Sequence, residues 1–274
     1  HSARLAVLPA LIASALAACG APAPDSDAPA PLRAGYSQEP PWAFMDAEGR
    51  VTGKAPEILR LAVSAMGLPE VEWVPMSWDE LIPALLSGRV DLLAAGHFVT
   101  PEREAQVRFT RPTACSESAF LVRAGEGDRL PEPTALLDRS TLRLGVLAGS
   151  VEEAVIRERD LDEARFQRFH DVRTAALALE AGGVDVVVLT GPTARYLAGE
   201  AEGDALAVVE PPSGVGGGEL FPSGCSAFAL RTEDQELAAK LDAALLRIRG
   251  EPDHDAVLER FGFEPGSTRG GDHE

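Results

Sequence analysis

From residue 32 the chain alternates between two hydrophobic periods. Short apolar runs of strand length, LRAGY (32–36), VEWVPM (71–76) and VDLLAAG (90–96), are separated by stretches with a different rhythm. In APEILRLAVSAMG (55–67) and SWDELIPALLSG (77–88) the apolar residues return every three or four positions. A run that is apolar throughout suits a strand covered on both faces, whereas the longer period suits a helix with one buried stripe. The pattern predicts strand–helix–strand–helix–strand. Ser77 and Glu80 have capping-box spacing at the start of the second helix, and Gly88 lies just past its end.

A second set begins near residue 142. LRLGVLAG reads as a strand, SVEEAVIRERD as a helix, FQRF as a short strand and DVRTAALALEAGG as a helix. VDVVVLT is then a strand and GPTARYLAGEA a helix. The sets echo one another, because LLSGRVDLLAAG (85–96) and LEAGGVDVVVLTG (179–191) share a helix end, a glycine, Val-Asp and an apolar run. RFTRPTACSESAFLVRAG (108–125) looks extended, as does CSAFALR (225–231) after the glycine-rich GVGGGELFPSG. Helices DQELAAKLDAALLRIRG and DHDAVLERFGF follow. The expected fold class is α/β: two α/β lobes joined by a two-strand hinge. Lobe 1 takes residues 32–113 and 212–264, lobe 2 takes 114–211, and 265–274 form a disordered tail.

At 274 residues, 45% of them hydrophobic, the chain can fill two modest cores. A net charge of -18 argues against nucleic acid and anionic membrane surfaces as partners. The first residues carry Arg4 and then an apolar run too short for a membrane span, so 1–18 is expected to be a signal peptide. The tetrad Leu16-Ala17-Ala18-Cys19 resembles the lipobox of bacterial lipoproteins, which implies lipidation of Cys19; a secretory peptide without lipid is the alternative. APAPDSDAPAP (21–31) has the composition of an extended tether, so 19–31 reads as anchor and linker.

Two cysteines remain, Cys115 and Cys225. In an oxidising compartment an even remainder suggests one disulfide, with two buried thiols as the alternative. Each opens one of the extended pieces, so neighbouring strands would bring them within bonding distance. The chain has no CxxC or histidine cluster, so neither a structural zinc nor another cofactor is expected.

Ligands of open α/β sheets bind beyond the carboxyl ends of the strands. Glu39 and Trp42 follow the first strand and Trp78 the second. Phe98 and Arg103 follow the third, Ser150 and Glu152 the fourth, and Thr190 ends the strand at 184–190. Aromatic faces attract delocalised cations, each by roughly 0.5–2 kcal/mol, and Glu39 adds negative charge. Arg103 offers a planar fork for a carboxylate, and Ser150 opens a helix whose N–H groups suit an anion. The implied ligand is a small zwitterion. Each residue also has a plainer reading. The aromatics could simply pack, Arg103 could pair with Glu102 or Glu104, and acids suit a helix start such as Glu152 occupies.

GYSQEPPWAFMDAEGRVTGKAPEIL, LIPALLSGRVDLLAAGHFVTPER and VRFTRP resemble the extracellular solute-binding proteins of ABC importers, polar amino acid group, over about residues 32–263. The resemblance implies the bilobed type II periplasmic-binding-protein fold, an extracytoplasmic monomer, and a permease in the membrane as partner. AAGHFVTPER, LAGSVEE, VLTGPTARYL and GCSAFALR look most like the ectoine/hydroxyectoine-binding branch. That branch implies an aromatic box of Trp42, Trp78 and Phe98 around the ligand's amidinium, with Glu39 facing the cation and Arg103 clamping the carboxylate. Glu152 follows the matching glycine of the second lobe. The branch more usually has Phe and Tyr at the first two box positions and an apolar residue at His97. Amino acid binders carry an aspartate where Thr190 stands, which favours a ligand lacking a primary ammonium.

Two other readings compete. A polar amino acid receptor would want a carboxylate in place of Thr190. A dehydratase on the same fold would use Glu39 or Glu152 as acid, yet the sequence offers no nucleophile–base pair.

Overall fold

The computed structural model describes residues 30–127, 130, 141–159, 162–210 and 223–266. The expected signal peptide, Cys19, nearly all of the tether and most of the tail lie outside the described residues. The strands, in chain order, are β1 (Arg33–Tyr36), β2 (Phe44–Met45), β3 (Val51–Thr52), β4 (Glu72–Pro75), β5 (Leu92–Leu93), β6 (Arg108–Phe109) and β7 (Ala114–Ser116). They continue as β8 (Ser118–Arg123), β9 (Leu144–Leu147), β10 (Phe166–Phe169), β11 (Val186–Thr190), β12 (Leu206–Val209), β13 (Gly224–Ser226) and β14 (Ala229–Leu230).

Two five-stranded sheets form, in the orders β4-β1-β5-β14-β6 and β10-β9-β11-β8-β12. In the first, β4, β1 and β5 run parallel and β14 is antiparallel to both its neighbours. In the second, β10, β9 and β11 run parallel, with β8 and β12 added antiparallel. The architecture is the bilobed α/β fold expected of the sequence.

The echoed Val-Asp segments are one structural device used twice. Asp91 accepts from the backbone N, Nε and Nη2 of Arg33, whose Nη2 also donates to the Gly88 carbonyl at 2.9 Å. Asp185 accepts from the same three donors of Arg143, whose Nη2 donates to the Gly182 carbonyl at 2.7 Å. Gly88 and Gly182 both take the left-handed conformation (φ 72° and 71°) that ends the preceding helix. Each clip fastens a helix end to the start of a neighbouring parallel strand, β1 or β9, and so sets the register of the strand that follows.

The strands are apolar on both faces because both faces are covered. Along β11, Val186 and Val188 enter one core while Val187 and Leu189 enter another. In the first lobe Leu92 packs with Ile58, Leu59 and Leu241, and Leu93 faces the opposite core with Leu81 and Leu85. Burying such a side chain fully contributes roughly 1.5–3 kcal/mol.

Two elements differ from the sequence reading. The strand at 90–96 is reduced to Leu92–Leu93; Ala94 still donates to the Gly35 carbonyl, but Gly96, at φ 79°, turns the chain out of the sheet. The helix at 77–88 starts as a 3-10 turn, Trp78–Glu80, and becomes α-helical only over Leu81–Leu86. Pro83 has no N–H for the Asp79 carbonyl, so the first turn stays tight. The Ser77–Glu80 capping box is formed.

β7 and β13 pair antiparallel, with Cys115 opposite Cys225, and the two are joined in a disulfide. The bond links positions 110 residues apart. Closing a loop of that size removes much denatured-state entropy, so its loss should cost roughly 2–5 kcal/mol. Denaturant unfolding of the Cys115→Ser/Cys225→Ser double variant checks this; an unchanged midpoint would contradict it.

Candidate functional site

A cavity lies between the lobes at the carboxyl ends of β1, β5, β9 and β11. Glu39, Trp78, Gly96, Phe98 and Arg103 line it from the first lobe, and Leu147, Ser150, Val151, Glu152, Leu189 and Thr190 from the second. The space open to the centre of a water molecule is about 20 Å³. A solute the size of an amino acid therefore enters only as the lobes part, the hinge motion such folds allow.

Trp78 stacks on His97, with centroids 4.3 Å apart and planes 13° apart, and the Arg103 guanidinium lies 5.8 Å from its ring. Burial, and then the Arg103 charge, push the His97 pKa well below its ordinary value, so the imidazole in this stack is neutral. Phe98 packs against Gly224 of β13, where a Cβ would lie 2.1 Å from the ring. The cavity wall is thereby tied to a hinge strand.

Trp42 stands one layer behind the wall rather than in it. The indole is 1% exposed and wedged edge-on against Phe98 and Phe263. Lys54 Nζ sits 4.6 Å from its ring and donates to Thr113 and Ser226, each at 2.8 Å. Burial lowers the Lys54 pKa well below the usual ammonium value. The aromatic face expected to meet a solute cation thus already carries the chain's own lysine.

Room for Trp42 comes from Gly96, where a Cβ would lie 2.7 Å from the indole and φ is 79°. Gly96→Ala should therefore destabilise the protein by roughly 2–5 kcal/mol, through left-handed strain plus overpacking. Equilibrium denaturation measures this, and a change below about 0.5 kcal/mol would mean that the indole has somewhere else to go.

Arg103 sits in the short helix Pro101–Glu104, capped by Thr100. Its guanidinium donates to the Phe98 carbonyl at 3.0 Å and, across the cleft, to the Gly149 carbonyl at 3.1 Å. Burial lowers its pKa, against the opposing pull of Glu152, Glu39 and Glu102. Glu39, 5% exposed, has its pKa pushed up to about 8, first by burial and then by Glu152. A hydrogen bond from Thr193 and the Arg103 charge oppose that rise. Burial also raises the pKa of Glu152, whose Oε1 accepts from Ser118 at 2.8 Å.

The helix start at Ser150 does not offer the open anion seat the sequence suggested. Ser150 Oγ caps the N–H of Glu153, and Glu153 Oε2 accepts the Gly149 N–H. Glu152 is hydrogen-bonded by its own backbone N–H. Acids in the first turn fill the positive end of the helix themselves.

Thr190 Oγ accepts from Trp42 Nε1 at 2.8 Å and donates to Thr193 Oγ at 3.0 Å. Thr193 in turn donates to Glu39 Oε1 at 3.2 Å. A further interlobe contact lies at the rim, where His170 Nδ1 is 3.4 Å from Asp79 Oδ1. Two buried carboxylates, one guanidinium and two aromatic rings thus converge on one narrow space between α/β lobes.

Residues 32–264 match the family model of bacterial extracellular solute-binding proteins, family 3. The chain belongs to this family. It is 28% identical over 263 residues to an L-arginine-binding protein of Pseudomonas aeruginosa, covering 94% of this chain and 96% of that one. It is 29% identical over 148 residues to a probable histidine-binding protein of Campylobacter jejuni; this match takes 54% of the chain and spans about half of that protein's length (55%). Among solved structures, EhuB in complex with hydroxyectoine superposes with a TM-score of 0.79 at 26% identity, covering 87% of this chain and 91% of that one.

In this solute-binding protein, seven of the residues singled out from the sequence line the cavity and Trp42 backs it. Sequence reasoning missed Thr193, Lys54 and Ser118. Thr193 was findable, because it lies three positions after Thr190 and so shares its helix face. Lys54 and Ser118 carry no local signal; each acquires its role only through partners at least 34 positions away.

Proposed function

We propose that this protein is the extracytoplasmic receptor of an ABC importer and captures a small solute bearing a carboxylate and a planar, delocalised cation. Ectoine and hydroxyectoine are solutes of that class. The observation that carries the reading is that Arg103 and the carboxylates Glu39 and Glu152 share one cavity walled by Trp78 and Phe98. The solute carboxylate lies on the Arg103 fork, where paired N–H donors match its two oxygens. Its cation lies against Trp78 and Phe98, with Glu39 and Glu152 supplying the counter-charge. Thr190 offers a hydroxyl already committed to Trp42 and Thr193, so a primary α-ammonium finds no acid at that position. On this reading the receptor acts as a monomer, Cys19 carries lipid, residues 20–31 tether the body outside the membrane, and the partner is a membrane permease.

A second reading is a basic amino acid. Two carboxylates against one guanidinium leave a negative charge unmatched when both are ionised, which suits a solute of net positive charge, and the similar proteins include arginine and histidine binders.

A thermal-shift panel of ectoine, hydroxyectoine, glycine betaine and the proteinogenic amino acids separates the two. A ligand at about a thousand times its Kd adds roughly 4 kcal/mol to stability, so a true solute stands out. Ectoine or hydroxyectoine is expected to give the largest shift. A larger shift from arginine or histidine would replace the first reading by the second.

A further inference from the structure

The hydrogen bonds around Glu39 run in one direction across the cleft. Trp42 Nε1 donates to Thr190, Thr190 donates to Thr193, and Thr193 donates to Glu39 Oε1. Glu39 and Trp42 belong to the loop after β1, and that loop closes on itself, since the Glu39 carbonyl accepts from the Trp42 N–H at 2.8 Å and the Ala43 N–H at 3.1 Å. Thr190 and Thr193 belong to the second lobe. The result is a closed ring of bonds with two residues from each lobe and two bonds crossing between them, and Thr193 itself is fully buried. Each hydroxyl accepts once and donates once, and the sequence ends on the one member that can only accept when ionised.

We infer that Thr193 is a positioning residue for solute capture: it clasps the lobes together through this ring and holds Oε1 of Glu39, so that the rest of the carboxylate is directed at the solute cation. The affinity readout of this inference rests on the solute reading above; the clasp itself does not.

The clasp acts at a point where charge is finely balanced. Glu39 shares the cavity with Glu152 and Arg103, Lys54 lies over the Trp42 ring, and His97 stacks on Trp78. Of these, Arg103 favours the ionised form of Glu39 and Glu152 opposes it, while the Thr193 hydroxyl is a neutral donor that favours ionisation. Removing the hydroxyl leaves a buried carboxylate oxygen and the Thr190 O–H both without their partner. A valine at 193 keeps the shape and takes away only that function.

Calorimetric titrations with hydroxyectoine and with L-arginine, run between about pH 6 and 9, test the inference on wild type, Thr193→Val and Thr193→Ser. The valine variant should bind whichever probe the wild type binds roughly tenfold or more weakly. Its affinity should also reach its plateau at a higher pH, because Glu39 has lost a bond that favours its ionised form. Serine should restore both the affinity and the profile. Wild-type affinity with a wild-type pH profile in Thr193→Val would overturn the inference, as would a serine variant no better than valine.

If the wild type binds neither probe, the solute reading fails and the clasp is judged without a ligand. The chain has three tryptophans, so the Trp42 indole N–H resonance is assignable with Trp42→Phe. Its exchange with solvent should be slow in wild type and Thr193→Ser and faster in Thr193→Val. Equal exchange in all three overturns the clasp. Should Thr193→Val not fold, Thr190→Val interrupts the same relay one link earlier and is read by the same resonance.

Discussion

Replacing Arg103 by alanine is expected to abolish solute binding. The guanidinium ties the first lobe to the second through the Phe98 and Gly149 carbonyls, so its loss removes an interlobe bond as well as the partner proposed for the solute carboxylate. It also removes the only cation among the described residues that line the cavity, leaving Glu39 and Glu152 together in a buried space. Breaking a buried charge pair by deleting one member costs roughly 3–5 kcal/mol, a hundredfold or more in affinity. Arg103→Lys should recover little, because an ammonium keeps the charge and forfeits the fork. Titration calorimetry reads both variants. An alanine variant that binds within about threefold of wild type would mean that the arginine only props the Trp78 ring.

The second large effect is a pH dependence set by Glu39. An ordinary glutamate titrates near 4.5, whereas in the closed cleft Glu39 is pushed up to about 8, chiefly by burial. The folded, closed form therefore holds a proton that the unfolded chain has released, and this group's contribution to stability is complete below about pH 4.5 and is lost as pH rises through about 8. A solute cation against Glu39 works in the opposite direction, since it favours the ionised carboxylate. Binding near neutral pH should expel about one proton, and the affinity should climb with pH, by at most about tenfold per unit, before levelling above about 8. Calorimetry in two buffers of different ionisation enthalpy counts the proton. Glu39→Gln should abolish the release and flatten the profile; a flat profile in wild type would mean that the cation sits away from Glu39.

Much of the fold was legible because its determinants are local. The apolar runs, the Ser77–Glu80 box and the helix-ending glycines each act within a few residues. The repeated Val-Asp was visible as an echo, but its cause, a carboxylate gripping the arginine at the start of the neighbouring strand, lies 58 residues away in the first lobe and 42 in the second. The site divides in the same way. A rule about strand ends was enough to gather Glu39, Trp78, Phe98, Arg103, Ser150, Glu152 and Thr190. It could not tell a wall from the layer behind it: the position of Trp42 depends on Gly96 yielding space and on Lys54 occupying one aromatic face. Nor could it foresee that the helix start at Ser150 would be filled by the acids that follow it.

The most direct test is a crystal structure of the protein grown with hydroxyectoine. The solute should lie between the lobes, its carboxylate on the Arg103 guanidinium, its ring against Trp78 and Phe98, and a ring nitrogen on Glu39. Trp42 should remain behind the wall, bonded to Thr190. A solute whose carboxylate lies at the Ser150 helix start with Arg103 still turned to the protein's own carbonyls, or one bound outside the interlobe cavity, would contradict the account.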